Sequence, residues 1–276
     1  MSRVGVAGAR WSRPTTGRAS RRALVAVPAL LFAGSSALTV MWARSMSDTA
    51  MTSMHGSAAM SMASPGTSGS GWLGAAVSFV AMWTVMMVAM MLPSLAPTLW
   101  RYHDAVDAMG GSRPGRQTVL VGVGYFLVWA AIGVTVFSLD VALAAVGMPS
   151  RTLARAEPFE VGVVVLAAGA IQLTAWKAHH LTRCREASVP GSSMPADPAA
   201  AWRHGLRLGV HCSLSCAGLT ATVIAAGVMD LRAMAVVTAA ITAERLTPAG
   251  ARVARGIGAI GVALGLLLSA RAAGVA

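Results

Sequence analysis

The sequence is poor in charged and aromatic residues, which make up 12% and 5% of its 276 positions. Soluble globular domains carry about 25% charged residues, so this composition excludes an ordinary soluble domain. Acidic residues are especially scarce, with 10 against 22 basic ones, and the net charge is +12. Since the basic residues are not interleaved with aromatic ones, the charge does not indicate a nucleic-acid partner.

Recognisable catalytic patterns are also missing. The sequence contains no P-loop, no G-x-S-x-G, no H-E-x-x-H and no dinucleotide-binding fingerprint. Its three cysteines are an odd number and too few for a disulfide scaffold. We therefore predict that the protein is not an enzyme, with thiol chemistry as the one enzymatic alternative.

Apolar residues, 55% of the chain, occur in blocks close to the about 20 residues that span a bilayer. The stretches are 23–43, 72–92, 119–139, 159–176, 210–229, 233–243 and 256–270. They predict an all-α, polytopic transmembrane helix bundle with about seven spans, or six if 233–243 does not cross. With the amino terminus in the cytosol, 17 basic residues fall inside and 5 outside, as the positive-inside rule requires.

Four segments follow from this pattern. Residues 1–22 form a basic cytosolic tail, and residues 23–43 a first membrane anchor. The anchor is longer than the usual apolar core of a signal peptide, which favours an uncleaved anchor over a cleaved signal. Residues 44–71 form an outer linker rich in Met, Ser and Gly that we expect to be disordered. Residues 72–276 form the membrane domain, with a Cys/His cluster at 177–216.

The Cys/His cluster holds all three cysteines and four of the six histidines. His180 and Cys184 are four residues apart, as are Cys212 and Cys216, so each pair shares one helix face. Three sulfurs and one imidazole suit copper or zinc. The remaining histidines of the cluster, which could replace or supplement these ligands, are His179, His204 and His211. Alternatively, the cysteines are small buried packing residues.

Methionines form a second soft-ligand feature. Met82, Met86 and Met90 recur every four residues in the second span, and Met54 with His55 lies in the outer linker. Thioethers suit Cu(I) and need no deprotonation, so this pattern predicts a collecting segment and a relay. Alternatively, methionine is a flexible core filler and the linker a low-complexity tether.

Polar residues near the predicted span ends are further candidates. For Lys177, Asp140 and Arg245 we expect side chains that extend to the membrane surface. Gln172 lies inside the fourth span, and Glu244 is the strongest carboxylate candidate.

Three segments together resemble a known family. They are residues 83–93 (WTVMMVAMMLP), 172–185 (QLTAWKAHHLTRCR) and 209–246, which begins GVHCSLSCAGL. The sequence is similar there to bacterial predicted metal-binding integral membrane proteins, a domain of unknown function sometimes labelled copper-chaperone-like. The resemblance covers about residues 72–270 and implies a location in the bacterial inner membrane.

The family pattern has more cysteines than this chain. The resemblance places Cys184 at the second position of a cysteine pair, with His180 at the first, and Ser215 where a further cysteine would stand. Cys212 and Cys216 match in part, and Glu244 with Arg245 match the end of the last motif. His180 and His211 would then substitute for sulfur.

These observations predict a membrane protein that binds, and transfers or transports, a soft metal ion. Copper is expected rather than zinc, and a metal-donor or metal-acceptor protein is the expected partner besides the lipid bilayer. The alternatives are a membrane thiol-disulfide oxidoreductase, with Cys212 and Cys216 as redox pair, and a non-metallic scaffold.

Overall fold

The computed structural model describes residues 18–53, 70–110, 113–145, 158–187, 197–228 and 230–274. Within these ranges the chain forms eight helices and no strand, which confirms the predicted all-α fold. The helices are α1 (Arg18–Ser53), α2 (Ser70–Ala108), α3 (Pro114–Ala145), α4 (Pro158–Gln172), α5 (Ala175–Ala187), α6 (Pro198–Ala226), α7 (Leu231–Leu246) and α8 (Gly250–Ala272).

Five helical segments are long and apolar enough to cross a membrane: Val25–Ser45, Gly71–Ala108, Pro114–Ala142, Pro198–Ala226 and Gly250–Ala272. Phe159–Gln172 and Ala175–Glu186, bent by 67°, would be a sixth if they form one broken span. The predicted stretch 233–243 lies in α7, whose 16 residues are fewer than the about 20 that cross a bilayer. By length and composition, the described part of the chain thus has five candidate spans, or six with the bent pair. Six is the predicted alternative in which 233–243 does not cross.

Two helices extend beyond the predicted spans. The second span was expected to end before Pro93 and Pro97, but α2 continues through both to Ala108. Prolines are tolerated in membrane helices where neighbouring groups satisfy the freed backbone atoms. α6 begins at Pro198 rather than at residue 210, because proline fits the first turn of a helix. Both predicted boundaries are wrong for the same reason: proline and charge do not by themselves end a helix.

Glycines on α6 allow it to pack directly against α3. A Cβ on Gly209 would lie 3.0 Å from the backbone oxygen of Tyr125, and one on Gly205 would collide with the backbone of Val121. Small residues at this spacing let membrane helices approach closely. Because the contacts advance along both helices together, α3 and α6 are parallel, and Tyr125 lies beside the following turn of α6.

The turn between α6 and α7 reverses the chain. Gly227 has φ of 110°, a conformation that favours glycine. Asp230 caps α7, because its Oδ1 accepts hydrogen bonds from the backbone N–H groups of Arg232 and Ala233 at 2.9 and 3.0 Å. α7 then runs back to Glu244, whose carboxylate contacts Gln172 at the end of α4. The ends of α4 and α7 therefore meet the middle of α6.

Candidate metal centre

The centre begins with two cysteines on one face of α6. Cys212 and Cys216 are four residues apart, and their Sγ atoms lie 3.8 Å from each other. They continue the buried stripe of Gly205, Leu208 and Gly209, and both are essentially inaccessible to solvent. The predicted sharing of a face by this pair is confirmed.

A bend in the chain brings the third cysteine to the first two. α4 ends at Gln172 and α5 starts after Thr174, whose Oγ1 accepts a hydrogen bond from the Lys177 backbone N–H at 3.2 Å. This is a helix N-cap, and it explains why a new helix starts here. α5 then lies against α6, and the side chain of buried Cys184 interacts with that of Cys212.

Cys212 is at the centre of the three neighbouring thiols of Cys184, Cys212 and Cys216, which together are called the thiol group. Its Sγ lies 2.9 Å from the Tyr125 hydroxyl of α3 and accepts a hydrogen bond from Arg245 Nη1 of α7 at 3.3 Å. It also contacts the sulfurs of Cys184 and Cys216. All of these side chains are buried. Four helices thus position groups around one sulfur atom.

A buried ion pair lies next to the thiol group, at the backbone of Ser215. Lys177 Nζ lies 2.6 Å from Glu244 Oε2, with each side chain no more than 2% exposed. Lys177 also donates to the backbone oxygen of Ser215, and Gln172 donates to the second carboxylate oxygen of Glu244. The predicted surface location of Lys177 and Arg245 is therefore wrong, since both side chains are buried where α4, α5, α6 and α7 meet.

The methionine stripe of α2 belongs to the same packed interior. Met82, Met86 and Met90 are 7%, 1% and 2% exposed, and they share one buried cluster with all three cysteines. Met87 and Met91 are buried in this cluster as well. The predicted stripe therefore faces the protein interior rather than the outer surface. Met54 and His55 lie outside the described residues.

Three of the histidines, His179, His180 and His211, lie close to one another. The rings of His179 and His180 are 5.4 Å apart, and those of His180 and His211 are 6.5 Å apart. In the described part of the chain, no hydrogen bond joins Cys212 or Cys216 to a histidine, and the Nδ1 atoms of His180 and His211 are buried without a partner. His204 stacks against Tyr102, 5.4 Å between ring centres.

The donor set determines which ion the centre could hold. Among the described residues, no three or more His, Cys, Asp or Glu side chains already surround one point as metal ligands. The thiols that touch one another are nevertheless soft donors in a thioether-rich core, which suits Cu(I). The carboxylate of Glu244 is occupied by Lys177 and Gln172, so it is not free to serve as a ligand for a hard ion.

Sequence reasoning missed two residues of the centre. Tyr125 carried no signal, because one tyrosine in an apolar span is ordinary, and its role depends on the glycine contact between α3 and α6. The hydroxyl of Ser94 accepts a hydrogen bond from Arg245 Nη1 at 2.9 Å. Ser94 was missed because it lies beyond the predicted end of the second span. The unusual position of a serine between two helix prolines was the available clue.

Comparison with known proteins gives one family. No curated protein and no solved structure matches the chain. A family model described as PpoB2, copper chaperone, matches residues 80–268. The match contains the methionine stripe, all three cysteines and the buried ion pair. It also bears out the resemblance seen in the sequence, and the chain belongs to the PpoB2 copper chaperone family.

Proposed function

We propose that the protein binds Cu(I) at its buried cysteines and delivers the ion to an acceptor protein, as a copper chaperone within the membrane. The observation that carries this proposal is the contact of Cys212 with both Cys184 and Cys216 in the protein interior. Thiolates are the soft ligands that Cu(I) prefers. Burial protects a bound Cu(I) ion from water and oxidants.

Copper is favoured over zinc by the surroundings of the thiols. Structural zinc sites use four cysteine or histidine ligands in a tetrahedron, whereas no hydrogen bond links a histidine to Cys212 or Cys216 in the described ranges. The additional soft donors in the same core are the thioethers of α2. Neutral thioethers are poor ligands for zinc but suit Cu(I).

A direction of transfer follows from the charge distribution. With Lys177 and Arg245 buried, fifteen basic residues remain on the proposed cytosolic side against five outside, so we keep the amino terminus in the cytosol. This count places Arg252 and Arg255 inside, and it therefore requires α7, which is shorter than the five candidate spans, to cross as a seventh. Copper collected by Met54 and His55 outside would pass the methionine stripe and reach the cysteines, from which an acceptor takes it by ligand exchange.

A thiol-disulfide oxidoreductase is the second candidate. The 3.8 Å separation of the Cys212 and Cys216 sulfurs favours it, because oxidation of two thiols to a disulfide needs such proximity. The electrons would have to leave to a quinone or to a thiol-disulfide partner protein.

Copper loading of the purified full-length chain tests the proposal. We expect one tightly bound Cu(I) per chain in the wild type and none in the combined Cys184→Ser, Cys212→Ser, Cys216→Ser variant, measured by copper analysis after removal of weakly bound metal. Ser138→Ala, which removes an exposed hydroxyl on α3, is the control and should bind as the wild type does. Unchanged binding in the triple variant would contradict the proposal. Absence of copper together with a reversible disulfide would favour the oxidoreductase.

A further inference from the structure

In the described part of the chain, Arg245 is a buried cation without a carboxylate partner. Its side chain is 7% exposed, and its Nη1 donates to Ser94 Oγ and to Cys212 Sγ. Glu244, the neighbouring carboxylate, pairs with Lys177 instead. Among the described residues, Arg245 Nη2 is buried without a hydrogen-bond acceptor. The guanidinium therefore retains a donor for another ligand.

The charge of this region is unbalanced. Lys177 and Glu244 neutralise each other, but Arg245 leaves one positive charge, since arginine is not deprotonated in proteins. Burying a charge without a counter-ion is energetically costly. An anion next to Arg245 would remove this cost. Of the two side chains that accept hydrogen bonds from Arg245, the one that can become an anion is the thiol of Cys212.

We propose that Arg245 is the counter-ion of an anionic copper–thiolate complex, and that it makes the centre selective for monovalent ions. Cu(I) bound by two thiolates carries one negative charge, which the guanidinium balances. A divalent ion bound by the same two thiolates is neutral, and the arginine charge stays uncompensated. Thioether ligands from α2 do not alter this count because they are neutral. This inference rests on the proposed function, in that it assumes copper at the cysteines.

The charge count also distinguishes the cysteines. A divalent ion reaches the balancing charge of minus one only with three thiolates, and therefore needs Cys184 in addition to Cys212 and Cys216. A monovalent ion reaches it with two. Arg245 is thus a positioning and selecting residue, acting through Cys212 Sγ at 3.3 Å rather than as a metal ligand.

The test compares Arg245→Gln with Arg245→Lys in the full-length protein. Affinities for Cu(I), and for Zn²⁺ as the divalent probe, are measured by chelator competition, and thermal unfolding is followed with and without Cu(I). We expect Arg245→Gln to lower Cu(I) affinity by about 10- to 100-fold, the usual effect of losing a group that supports metal ligands. Zn²⁺ is measured in a Cys184→Ser background, where two thiolates remain, and its affinity there should fall less. Arg245→Lys should keep most of the selectivity. Arg252→Gln, at an exposed arginine of α8, is the matched control.

Thermal unfolding separates a charge role from a packing role. If Arg245 is an uncompensated charge, metal-free Arg245→Gln unfolds at the same temperature as the metal-free wild type or at a higher one. The increase in unfolding temperature on copper binding is then smaller than in the wild type. If the role of Arg245 is packing, the metal-free variant unfolds at a lower temperature than the wild type, and copper raises the unfolding temperature of both proteins equally. That result would overturn the proposal. The proposal would also be overturned if Arg245→Gln kept the wild-type selectivity. The proposed function would stand in that case, provided that copper binding still depends on Cys212. Failure of the wild type to bind Cu(I) would refute the function itself.

Discussion

Cys212→Ser is expected to weaken Cu(I) binding by at least about a hundredfold, and by more than either Cys184→Ser or Cys216→Ser. Loss of a group that only supports the ligands costs about 10- to 100-fold, and Cys212 is the sulfur that both other thiols contact. A serine hydroxyl is a hard donor and does not replace the thiolate. Competition with a coloured Cu(I) chelator, on protein in detergent, measures the change.

Ser213→Ala is the control for this comparison. Ser213 is the next residue of α6, and its hydroxyl donates to the backbone oxygen of Val210 rather than to the thiol group. Its removal should leave copper affinity unchanged. Equal losses for all three cysteine variants would show that Cys212 has no central position, and no loss for Cys212→Ser would exclude the thiol group as the binding site.

Glu244→Gln is expected to destabilise the fold by about 3–5 kcal/mol, the usual cost of removing one partner from a buried ion pair. The change removes the negative charge that neutralises Lys177 and leaves this buried cation with neutral acceptors, among them the Ser215 backbone oxygen. Thermal unfolding in detergent measures the loss. Replacing both partners, with Lys177→Met and Glu244→Leu, should recover much of it, because an apolar pair of similar size needs no counter-ion.

The exposed carboxylate Glu186 of α5 provides the matched control. Glu186→Gln should change the free energy of unfolding by no more than about 0.5 kcal/mol, as is usual for surface substitutions. If Glu244→Gln were as mild as Glu186→Gln, Lys177 would not depend on the carboxylate. If the double replacement were as harmful as the single one, the pair would have a role beyond mutual neutralisation.

The helical nature of the fold could be predicted because its signals are local. Apolar blocks of nearly bilayer length predicted α1, α2, α3, α6 and α8. The boundaries were less predictable because they depend on contacts between helices. The arginines Arg203 and Arg207 of α6 lie on its exposed side while Gly205 and Leu208 pack inward, so the helix begins well before its apolar run does.

The thiol group was predictable only in part. The four-residue spacing of Cys212 and Cys216 predicts a shared face, but only the bend after Gln172 shows that Cys184 reaches them. His180 and Cys184 have the same spacing, yet Cys184 is fully buried and His180 only partly. Sequence spacing gives the relative direction of side chains on a helix, whereas the rotation of that helix against its neighbours determines what they contact.

The buried charges were misjudged for a physical reason. Lys177 and Arg245 stand near predicted span ends, where long basic side chains usually reach the membrane surface. Here a carboxylate and a thiol on neighbouring helices hold them in the interior instead. Such pairing between distant segments leaves no trace in the local sequence pattern.

X-ray absorption at the copper edge, on the full-length protein loaded with Cu(I), tests the central claim most directly. Copper held by the buried thiols should show sulfur neighbours alone. The spectrum should not change when His179, His180 and His211 are replaced by asparagine, because no hydrogen bond links the histidine group to Cys212 or Cys216 in the described structure. Imidazole nitrogen around the copper, lost in the histidine variant, would contradict the account.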